Sequence, residues 1–244
     1  NIMRQKKIAQ LLILDGEKKL KDIILLNDLV RDSEKDIEEV PILLMAGGFG
    51  KRLHPLTKSR PKPMLEVSGI PVLELIIDQA KQFGFKDFFI STYFEADQIE
   101  DYFGDGAQKD IKIEYLHESE PMGTAGCLKI FPDSDKFHNL IAINGDVLST
   151  INLRDFLHFH NKLSNDITIA ANTYSHQIPY GVLRNEGYKV KEIIEKPTID
   201  EFVSAGIYAI NMDIVRNLNS TKEPLDMPDI ISKNLKKDKK INLF

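Results

Sequence analysis

A glycine-rich segment, AGGFGKR, contains the residue types that point most directly to chemistry. The residues that we select from it are Ala46, Gly47, Gly48, Gly50, Lys51 and Arg52. Glycines without a Cβ let backbone N–H groups approach phosphate oxygens closely, and the two cations that follow suit a polyphosphate. A further cation, Lys62, stands between Pro61 and Pro63, which stiffen the backbone around it. The combination indicates a triphosphate-binding loop, although the glycines alone also fit a tight turn with solvated lysines.

Two familiar phosphate-binding glycine loops are excluded by their spacing. The P-loop pattern needs a glycine where Met45 stands and a serine or threonine where Arg52 stands. The dinucleotide fingerprint, started at Gly48, needs a glycine where Leu53 stands. The loop is therefore expected to bind phosphates in a different way from either.

The elements that must position these residues alternate along the chain. Short apolar runs read as strands, and amphipathic stretches that end near glycine read as helices. The predicted strands are 41–46, 87–92, 111–116 and 140–144, and the predicted helices are 71–84, 95–104 and 124–131. This order predicts an α/β fold with a doubly wound, mainly parallel, Rossmann-like sheet flanked by helices. Ligands bind beyond the carboxyl ends of such strands, so AGGFG and the later NGD are expected in one crevice.

Composition excludes several classes of function. The 244 residues fit one large α/β domain with or without an appendage, and a net charge of −5 argues against nucleic-acid binding. Cys127 is the single cysteine, so we expect no disulfide, no cysteine zinc site and a cytoplasmic location. No apolar run approaches the roughly 18 residues of a membrane helix. The histidines show no metal-ligand spacing, and His158 and His160 are expected on a helix surface.

The segment LMAGGFGKRLHPLTKSRPKPML resembles the signature of the sugar-nucleotide pyrophosphorylases, also called NDP-sugar synthases or nucleotidyltransferases. The resemblance runs from about Val40 to the chain end. It implies that the glycine loop and Arg52 hold the NTP phosphates and that Lys62 neutralises phosphate at the reacting centre. It also implies that Asp146, in NGDVL, binds Mg²⁺, although an aspartate there also fits a turn cap. The family often has threonine where this chain has Lys51, which either adds charge or faces solvent.

The segment EPMGTAGCL resembles the family's loop that closes over the base, which brings in Gly123 and Thr124. Cys127 is expected to pack there as a small apolar residue. Glu118 falls where pyrimidine-using relatives carry a glutamine, and a carboxylate can only accept the hydrogen bonds that guanine's N1–H and N2–H donate. The GTAG loop itself resembles guanylyltransferases of the mannose-1-phosphate, heptose-phosphate and CBS-linked nonulosonate kinds. We therefore expect GTP to be favoured over dTTP and UTP.

Three later segments, PYGVL, EIIEKP and VSAGIYAI, resemble the family's sugar side. In that family a glutamate contacts the sugar hydroxyls, a lysine contacts the sugar phosphate, and small residues form the floor of the pocket. The family commonly has asparagine where this chain has a shorter serine, at position 204. The resemblance thus assigns the sugar phosphate to Tyr180, Gly181, Glu195, Lys196, Ser204 and Gly206.

Both chain ends differ from a bare catalytic domain. Residues 1–37 resemble the last part of a CBS regulatory domain with its linker, and residues 38–244 form the predicted nucleotidyltransferase domain. Leu25 stands where nucleotide-binding CBS domains carry a hydroxyl, so an N-terminal remnant that packs on the catalytic domain is the other interpretation.

The family completes its Mg²⁺ site with a second aspartate in a tryptophan-containing segment, and we expect that segment to lie beyond residue 244. Asp226 and Asp229 are interpreted instead as residues that open a helix.

The predicted reaction joins an NTP, with GTP favoured, to a sugar 1-phosphate with the help of Mg²⁺, giving an NDP-sugar for nonulosonate or surface-glycan synthesis. No nucleic-acid or membrane partner is expected, and a homo-oligomer stays open. Two alternatives remain: a catalytically silent subunit that senses sugar nucleotides, and a nucleotidyltransferase with a non-sugar phosphate acceptor. An intact Arg52, Lys62 and Asp146 argues against the first, and PYGV and EKP argue against the second.

Overall fold

The computed structural model describes the backbone of residues 10–14 and 20–25, and residues 40–218 and 224–244 in full. Strands β1 (Gln10–Leu14) and β2 (Leu20–Leu25) form an antiparallel pair. Residues 15–19 between them and residues 26–39, which include the expected linker, lie outside the described residues. The CBS-like interpretation therefore stays a prediction.

A seven-stranded sheet forms the centre of the described chain. Its strands are β3 (Ile42–Met45), β6 (Asp87–Thr92), β7 (Lys112–His117), β8 (Asn139–Asn144), β9 (Ile167–Gln177), β12 (Thr198–Asn211) and β13 (Ile241–Leu243). The remaining strands form two small antiparallel pairs, β4 (Glu66–Val67) with β5 (Ile70–Pro71) and β10 (Gly181–Glu186) with β11 (Lys189–Glu195). The order in the sheet is β13-β9-β12-β8-β3-β6-β7, and β12 runs antiparallel to both of its neighbours while the other neighbouring pairs are parallel. The prediction of a mainly parallel α/β sheet is confirmed.

Five α-helices flank this sheet among the described residues: α1 (Val72–Gln82), α2 (Ala96–Phe103), α3 (Leu153–Lys162), α4 (Met212–Arg216) and α5 (Met227–Leu235). Helix α1 follows Pro71 and buries Leu73, Ile76, Ile77 and Ala80, the spacing of one helix face. None of the described helices is both long and apolar enough to cross a bilayer.

The predicted helix over 124–131 is wrong. Only a short 3₁₀ helix, Gly126–Ile130, forms there. The backbone just before it pairs with a distant segment, because Leu225 N donates to Met122 O and Ala125 N donates to Leu225 O. These bonds tie the segment to residue 225, and Leu128 N donates to Ala125 O, which is the i→i+3 bond of a 3₁₀ turn rather than of an α-helix.

The core has two layers, one on each face of the sheet. Ile42 and Leu44 of β3 face one layer, and Leu43 between them faces the other. Helices α1, α2 and α3 cover the first layer, whereas α4 and α5 cover the second. Burial on both faces explains why the central strands read as continuous apolar runs rather than alternating ones.

Strands β9 and β12 continue past the core as a two-stranded extension that carries the β10–β11 hairpin at its end. We call residues 172–203 the arm. Its strand pairing runs from Asn172 with Val203 to Gln177 with Thr198. Side chains along the arm are mostly exposed, unlike those of the central sheet.

His160 corrects the prediction of a surface histidine. It follows Phe156 and Leu157 by four and three positions, so it shares their buried face of α3 and is only 1% exposed. Its Nδ1 lies 2.9 Å from Thr168 Oγ1, and its Nε2 lies 3.2 Å from Asn139 Oδ1. Burial lowers the pKa of His160 to about 4, because the charged imidazolium would lose its hydration.

This pKa predicts a loss of stability in acid. The unfolded chain takes up the proton near pH 6.5 and the folded chain only near pH 4, so His160 stabilises the fold fully above about pH 6.5 and loses that contribution as the pH falls towards 4. We expect this residue to lower the free energy of unfolding by roughly 2 kcal/mol between about pH 7.5 and about pH 5. Urea unfolding at both pH values measures the change. His160→Gln, which cannot titrate, should be less stable at neutral pH but should lack this part of the pH dependence; an unchanged pH dependence would contradict the prediction.

Candidate active site

The candidate site begins where β3 and β8 end side by side. Met45 and Asn144 are register partners in this parallel pair, and Gly145 N donates to Met45 O at 3.0 Å. A Cβ at Gly145 would lie 3.1 Å from both Met45 O and Pro63 Cγ, so a side chain would crowd this junction. The glycine loop after β3 and Asp146 after β8 therefore start next to each other.

A cavity of about 340 Å³ lies over these strand ends, within the size range of small-molecule sites. The predicted site residues that line it are Ala46, Gly47, Gly48, Gly50, Lys62, Glu118, Gly123, Thr124 and Asp146. Several other lining residues are not among the predicted site residues; they include Phe49, Ser91, Asn144, Gly145 and Asp226. The structure thus brings together the predicted glycines, Lys62, Asp146 and the predicted base residues, whereas Lys51, Arg52 and the sugar residues are not among the residues that line the cavity.

The shape of the glycine loop is held from two sides. Gly50 has φ +61°, and its carbonyl accepts a 2.8 Å hydrogen bond from the buried Thr57 hydroxyl. Phe49 packs edge-on against Tyr93, with 5.4 Å between ring centroids, and tilted against Phe94 at 5.7 Å. Anchored on both sides, the loop presents its backbone to the cavity in a fixed form.

Lys51 and Arg52 directly follow the loop on a 3₁₀ turn, Lys51–Leu53, and both are exposed. Neither lines the cavity. Lys51 Nζ lies 5.1 Å from the centroid of the Phe49 ring, a cation–π contact. Both cations are therefore solvent-exposed at the edge of the glycine loop.

Lys62 and Asp146 form an ion pair at the cavity, in which Lys62 Nζ donates to Asp146 Oδ2. Their side chains are 36% and 31% exposed, so the pair adds little to folding stability. Lys62 is fixed from behind, because Pro63 and Met64 in the same 3₁₀ turn are buried. One cation and one anion therefore lie together in the cavity that the glycine loop also lines.

The donor set at this spot fits a magnesium ion only if substrate supplies ligands. Among the described residues, no group of three or more histidine, cysteine, aspartate or glutamate side chains could hold a metal. Mg²⁺ is commonly bound through one or two carboxylates together with substrate phosphates. Asp146 beside the glycine loop meets that requirement.

Glu118 lines the cavity directly after β7. Its Oε1 accepts a 2.5 Å hydrogen bond from the buried Ser91 hydroxyl, and its Oε2 accepts a longer one, 3.4 Å, from Met122 N. Glu118 also lies against Gly47, where a Cβ would be only 2.6 Å from Oε1. The carboxylate is thus fixed in orientation, and further lone pairs stay available to a donor.

The loop at Gly123 and Thr124 packs against the segment before α5. Gly123 has φ +90°, and a Cβ there would be 2.5 Å from Leu225 O, so this position needs glycine. Asp226 occupies the position that opens α5, as the sequence suggested, but its side chain caps no helix amide. It accepts hydrogen bonds from Thr124 instead, and the Thr124 N–H holds the pKa of Asp226 below its usual value.

The residues assigned to the sugar phosphate do not gather in this cavity. Tyr180, Gly181 and Glu195 lie in the arm, where Gly181 and Glu195 are register partners, and Lys196 follows them with φ +46°. Ser204 Oγ lies 2.8 Å from Tyr208 OH within β12. Gly206 alone among the set comes close to the cavity wall, because a Cβ there would be 2.6 Å from Asn144 Nδ2.

The sequence and the fold are similar to those of known proteins. A family model described as nucleotidyl transferase matches residues 41–243. Mannose-1-phosphate guanylyltransferase of Mycobacterium tuberculosis is 30% identical over 189 residues, which are 76% of this chain and 52% of that protein. Mannose-1-phosphate guanylyltransferase catalytic subunit beta of Drosophila pseudoobscura pseudoobscura is 32% identical over 184 residues, 72% of this chain and 49% of that protein. The chain spans about half the length of these curated relatives.

A solved structure resembles the fold. It is a putative glucose-1-phosphate thymidylyltransferase from Bacillus anthracis in complex with a sucrose, with a TM-score of 0.66 and 23% identity. The likeness covers 84% of this chain and 85% of that one. At this identity it supports the α/β architecture alone.

Cys127 provides a test of how closed the cavity wall is, because it is the single cysteine of the sequence. It is buried beside Ser91 and Glu118, and burial, with the Glu118 charge adding to it, raises the pKa of the thiol to about 12. We expect the native thiol to react with a disulfide reagent near pH 8 at least about 100-fold more slowly than the thiol of the protein unfolded in guanidinium, because thiolate is the reactive form. Absorbance of the released thiol measures both rates. Comparable rates would show that this wall is open.

Proposed function

We propose, from the premise that the chain belongs to the nucleotidyl transferase family, that it joins an NTP to a sugar 1-phosphate and releases pyrophosphate. The observation that carries this proposal is the meeting of Lys62 and Asp146 beside a fixed glycine loop in one cavity. A phosphate chain on the loop would place its reacting phosphorus at these two charges. The names of the guanylyltransferase relatives support the same reaction class.

The reaction needs positioning more than covalent work by the protein. A phosphate oxygen of the sugar 1-phosphate attacks the α-phosphorus of the NTP, the bond from that phosphorus to the bridging oxygen breaks, and pyrophosphate leaves with the electron pair. The protein aligns the two phosphates and offsets the negative charge that they bring together. Backbone N–H groups of the glycine loop and the Lys62 ammonium act on the phosphates in this proposal, and Arg52 adds a cation next to the loop.

Asp146 is the proposed protein ligand of Mg²⁺. When bound, Mg²⁺ supplies Lewis-acid neutralisation of phosphate oxygens. The Asp146 carboxylate presents its oxygens to the cavity at the end of β8. Lys62, which pairs with that carboxylate in the structure, holds its ammonium close enough to turn to a phosphate oxygen. In this proposal the two residues act together at the reacting phosphates: Asp146 holds the metal ion, and Lys62 contacts a phosphate oxygen.

Glu118 is the proposed reader of the base. Its carboxylate lines the cavity and is held by Ser91 and by Met122 N. Guanine offers two adjacent donors to such an acceptor, whereas uracil and thymine offer one N–H between two carbonyl oxygens. A carboxylate therefore attracts the guanine edge and repels the carbonyl oxygens of the pyrimidines, which supports GTP as the preferred NTP.

The arm is the proposed source of the sugar contacts. Asn144 lines the cavity and meets Gly206 of β12, the strand that continues into the arm. A sugar 1-phosphate that enters from the β12 side would reach Asp146 without crossing the glycine loop. Tyr180, Gly181, Glu195, Lys196 and Ser204 are the residues proposed to meet it from this side.

The first test of this function removes one cation at a time. We expect Lys62→Met and Arg52→Ala to lower turnover by about 30- to 1000-fold, which corresponds to the loss of roughly 2–4 kcal/mol of transition-state stabilisation. Pyrophosphate release from GTP with a panel of sugar 1-phosphates and non-sugar phosphates measures turnover. Circular dichroism and urea unfolding show whether the variants fold.

The matched control for this experiment is Lys58→Met, because Lys58 is an exposed lysine of the same segment outside the cavity lining. It should keep the turnover of the unaltered protein. Turnover within about threefold of that value in a folded Lys62→Met or Arg52→Ala protein would remove the corresponding residue from the mechanism.

The second test concerns the base. We expect GTP to displace a labelled GTP analogue at lower concentration than dTTP or UTP. Glu118→Gln should weaken GTP binding by about 10- to 100-fold, because guanine loses hydrogen bonds to a charged acceptor, and should leave UTP binding equal or tighter. Competition titrations measure all three nucleotides against both proteins. A ranking of dTTP or UTP above GTP in the unaltered protein would contradict the assignment.

A further inference from the structure

Asp226 begins helix α5, yet its carboxylate turns away from the helix. An aspartate at this position usually accepts a hydrogen bond from an amide in the first helical turn. Asp226 makes no such bond. Its Oδ1 instead accepts from Thr124 N at 2.7 Å and from Thr124 Oγ1 at 2.9 Å, across a separation of 102 positions in the sequence.

Asp226 is part of a continuous set of hydrogen bonds between two segments. We call residues 122–125 the base loop and residues 225–227 the holding segment. Leu225 N donates to Met122 O at 2.7 Å, Ala125 N donates to Leu225 O at 2.9 Å, and Met227 N donates to Thr124 Oγ1 at 3.2 Å. With the two bonds to Asp226, every residue of the holding segment contacts the base loop. The base loop therefore takes its shape from the holding segment rather than from a regular helix or strand.

The base loop faces the nucleotide cavity. Met122, Gly123 and Thr124 line it, and so does Asp226. The loop also reaches the proposed base reader, because Met122 N donates to Glu118 Oε2. A shift of the loop would change both the cavity wall and the setting of Glu118.

Asp226 is exposed at the cavity wall, so its removal deletes no buried packing. Its carboxylate nevertheless satisfies the Thr124 N–H and orients the Thr124 hydroxyl towards Met227 N. Without it, Thr124 in the middle of the base loop keeps a single bond to the holding segment, the one that its Oγ1 accepts from Met227 N. A loop that must be ordered when ligand binds lowers affinity for that ligand, since part of the binding free energy is spent on ordering.

We infer that Asp226 is a positioning residue for the nucleotide: it holds the base loop in its binding form before the NTP arrives. This inference deepens the proposed function and rests on it. The dependence should be specific to the NTP, because the sugar phosphate is proposed to enter on the β12 side, away from the base loop. The property that matters is an acceptor oxygen at this position, and a negative charge is not required.

The experiment compares three variants with the unaltered protein. Asp226→Ala removes the acceptor, Asp226→Asn keeps an acceptor oxygen for Thr124 but removes the charge, and Asp229→Ala alters an exposed aspartate of the same helical turn outside the cavity lining. Labelled GTP titrations give nucleotide affinity, and steady-state turnover gives KM for the sugar 1-phosphate. Hydrogen exchange of the peptide that covers the base loop, without nucleotide, reports loop order directly.

We expect Asp226→Ala to bind GTP about tenfold more weakly, with faster exchange in the base loop and an unchanged KM for the sugar 1-phosphate. Asp226→Asn and Asp229→Ala should match the unaltered protein in all three measurements.

Equal affinity and exchange in Asp226→Ala would overturn the inference. So would an Asp226→Asn protein as weak as Asp226→Ala, because that result would assign the role to charge and thus to direct contact with ligand or metal. If the unaltered protein binds no NTP at all, the proposed function fails, while the exchange data still decide whether Asp226 orders the loop.

Discussion

The parallel pairing of β3 with β8 is the constraint on which the rest of the site depends. It sets Met45 beside Asn144, so that the glycine loop and Asp146 leave the sheet at neighbouring points of one edge. Gly145 makes the pairing tight, because its bare Cα admits Pro63 as well as the end of β3. Pro63 in turn fixes the backbone of its neighbour Lys62. One strand pairing thus delivers the loop, the carboxylate and the cation to the same place.

The parts of the fold that could be predicted from sequence are those encoded locally. Strands buried on both faces read as apolar runs, and helices that follow them end near glycine, so β3, β6, β7, β8, α1 and α2 were within reach. The position of the antiparallel β12 between β8 and β9 could not be predicted, because strand order depends on pairings between residues far apart in the chain. In place of the helix expected at 124–131 a 3₁₀ turn forms, and the segment before it is bonded to residue 225, a contact that the local sequence does not encode.

The same distinction holds for the site. The glycine loop and Lys62 stood out because glycines close to cations indicate phosphate binding within a short segment, and Asp146 stood out through the resemblance of NGDVL to the family's metal-binding segment. Ser91 and Asp226 could not be selected from the sequence, because each is bonded to a partner far away in the chain. Ser91 donates to Glu118, and Asp226 accepts from Thr124. His160 was misplaced for a related reason: a polar residue on a helix was assumed to face water, whereas partners from other strands satisfy it inside the core.

The strand order also gives the proposed substrates a direction. Along the edge formed by the strand ends, Asp146 follows β8, the glycine loop follows β3, Ser91 lies near the end of β6, and Glu118 follows β7. An NTP with its phosphates on the glycine loop and its base at Glu118 would therefore lie across the sheet, with the reacting phosphate towards β8. The next strand beyond β8 is β12, which leads into the arm. A sugar 1-phosphate bound by the arm would approach Asp146 from that side, and the proposed reaction thereby joins residues of the arm to residues that line the cavity.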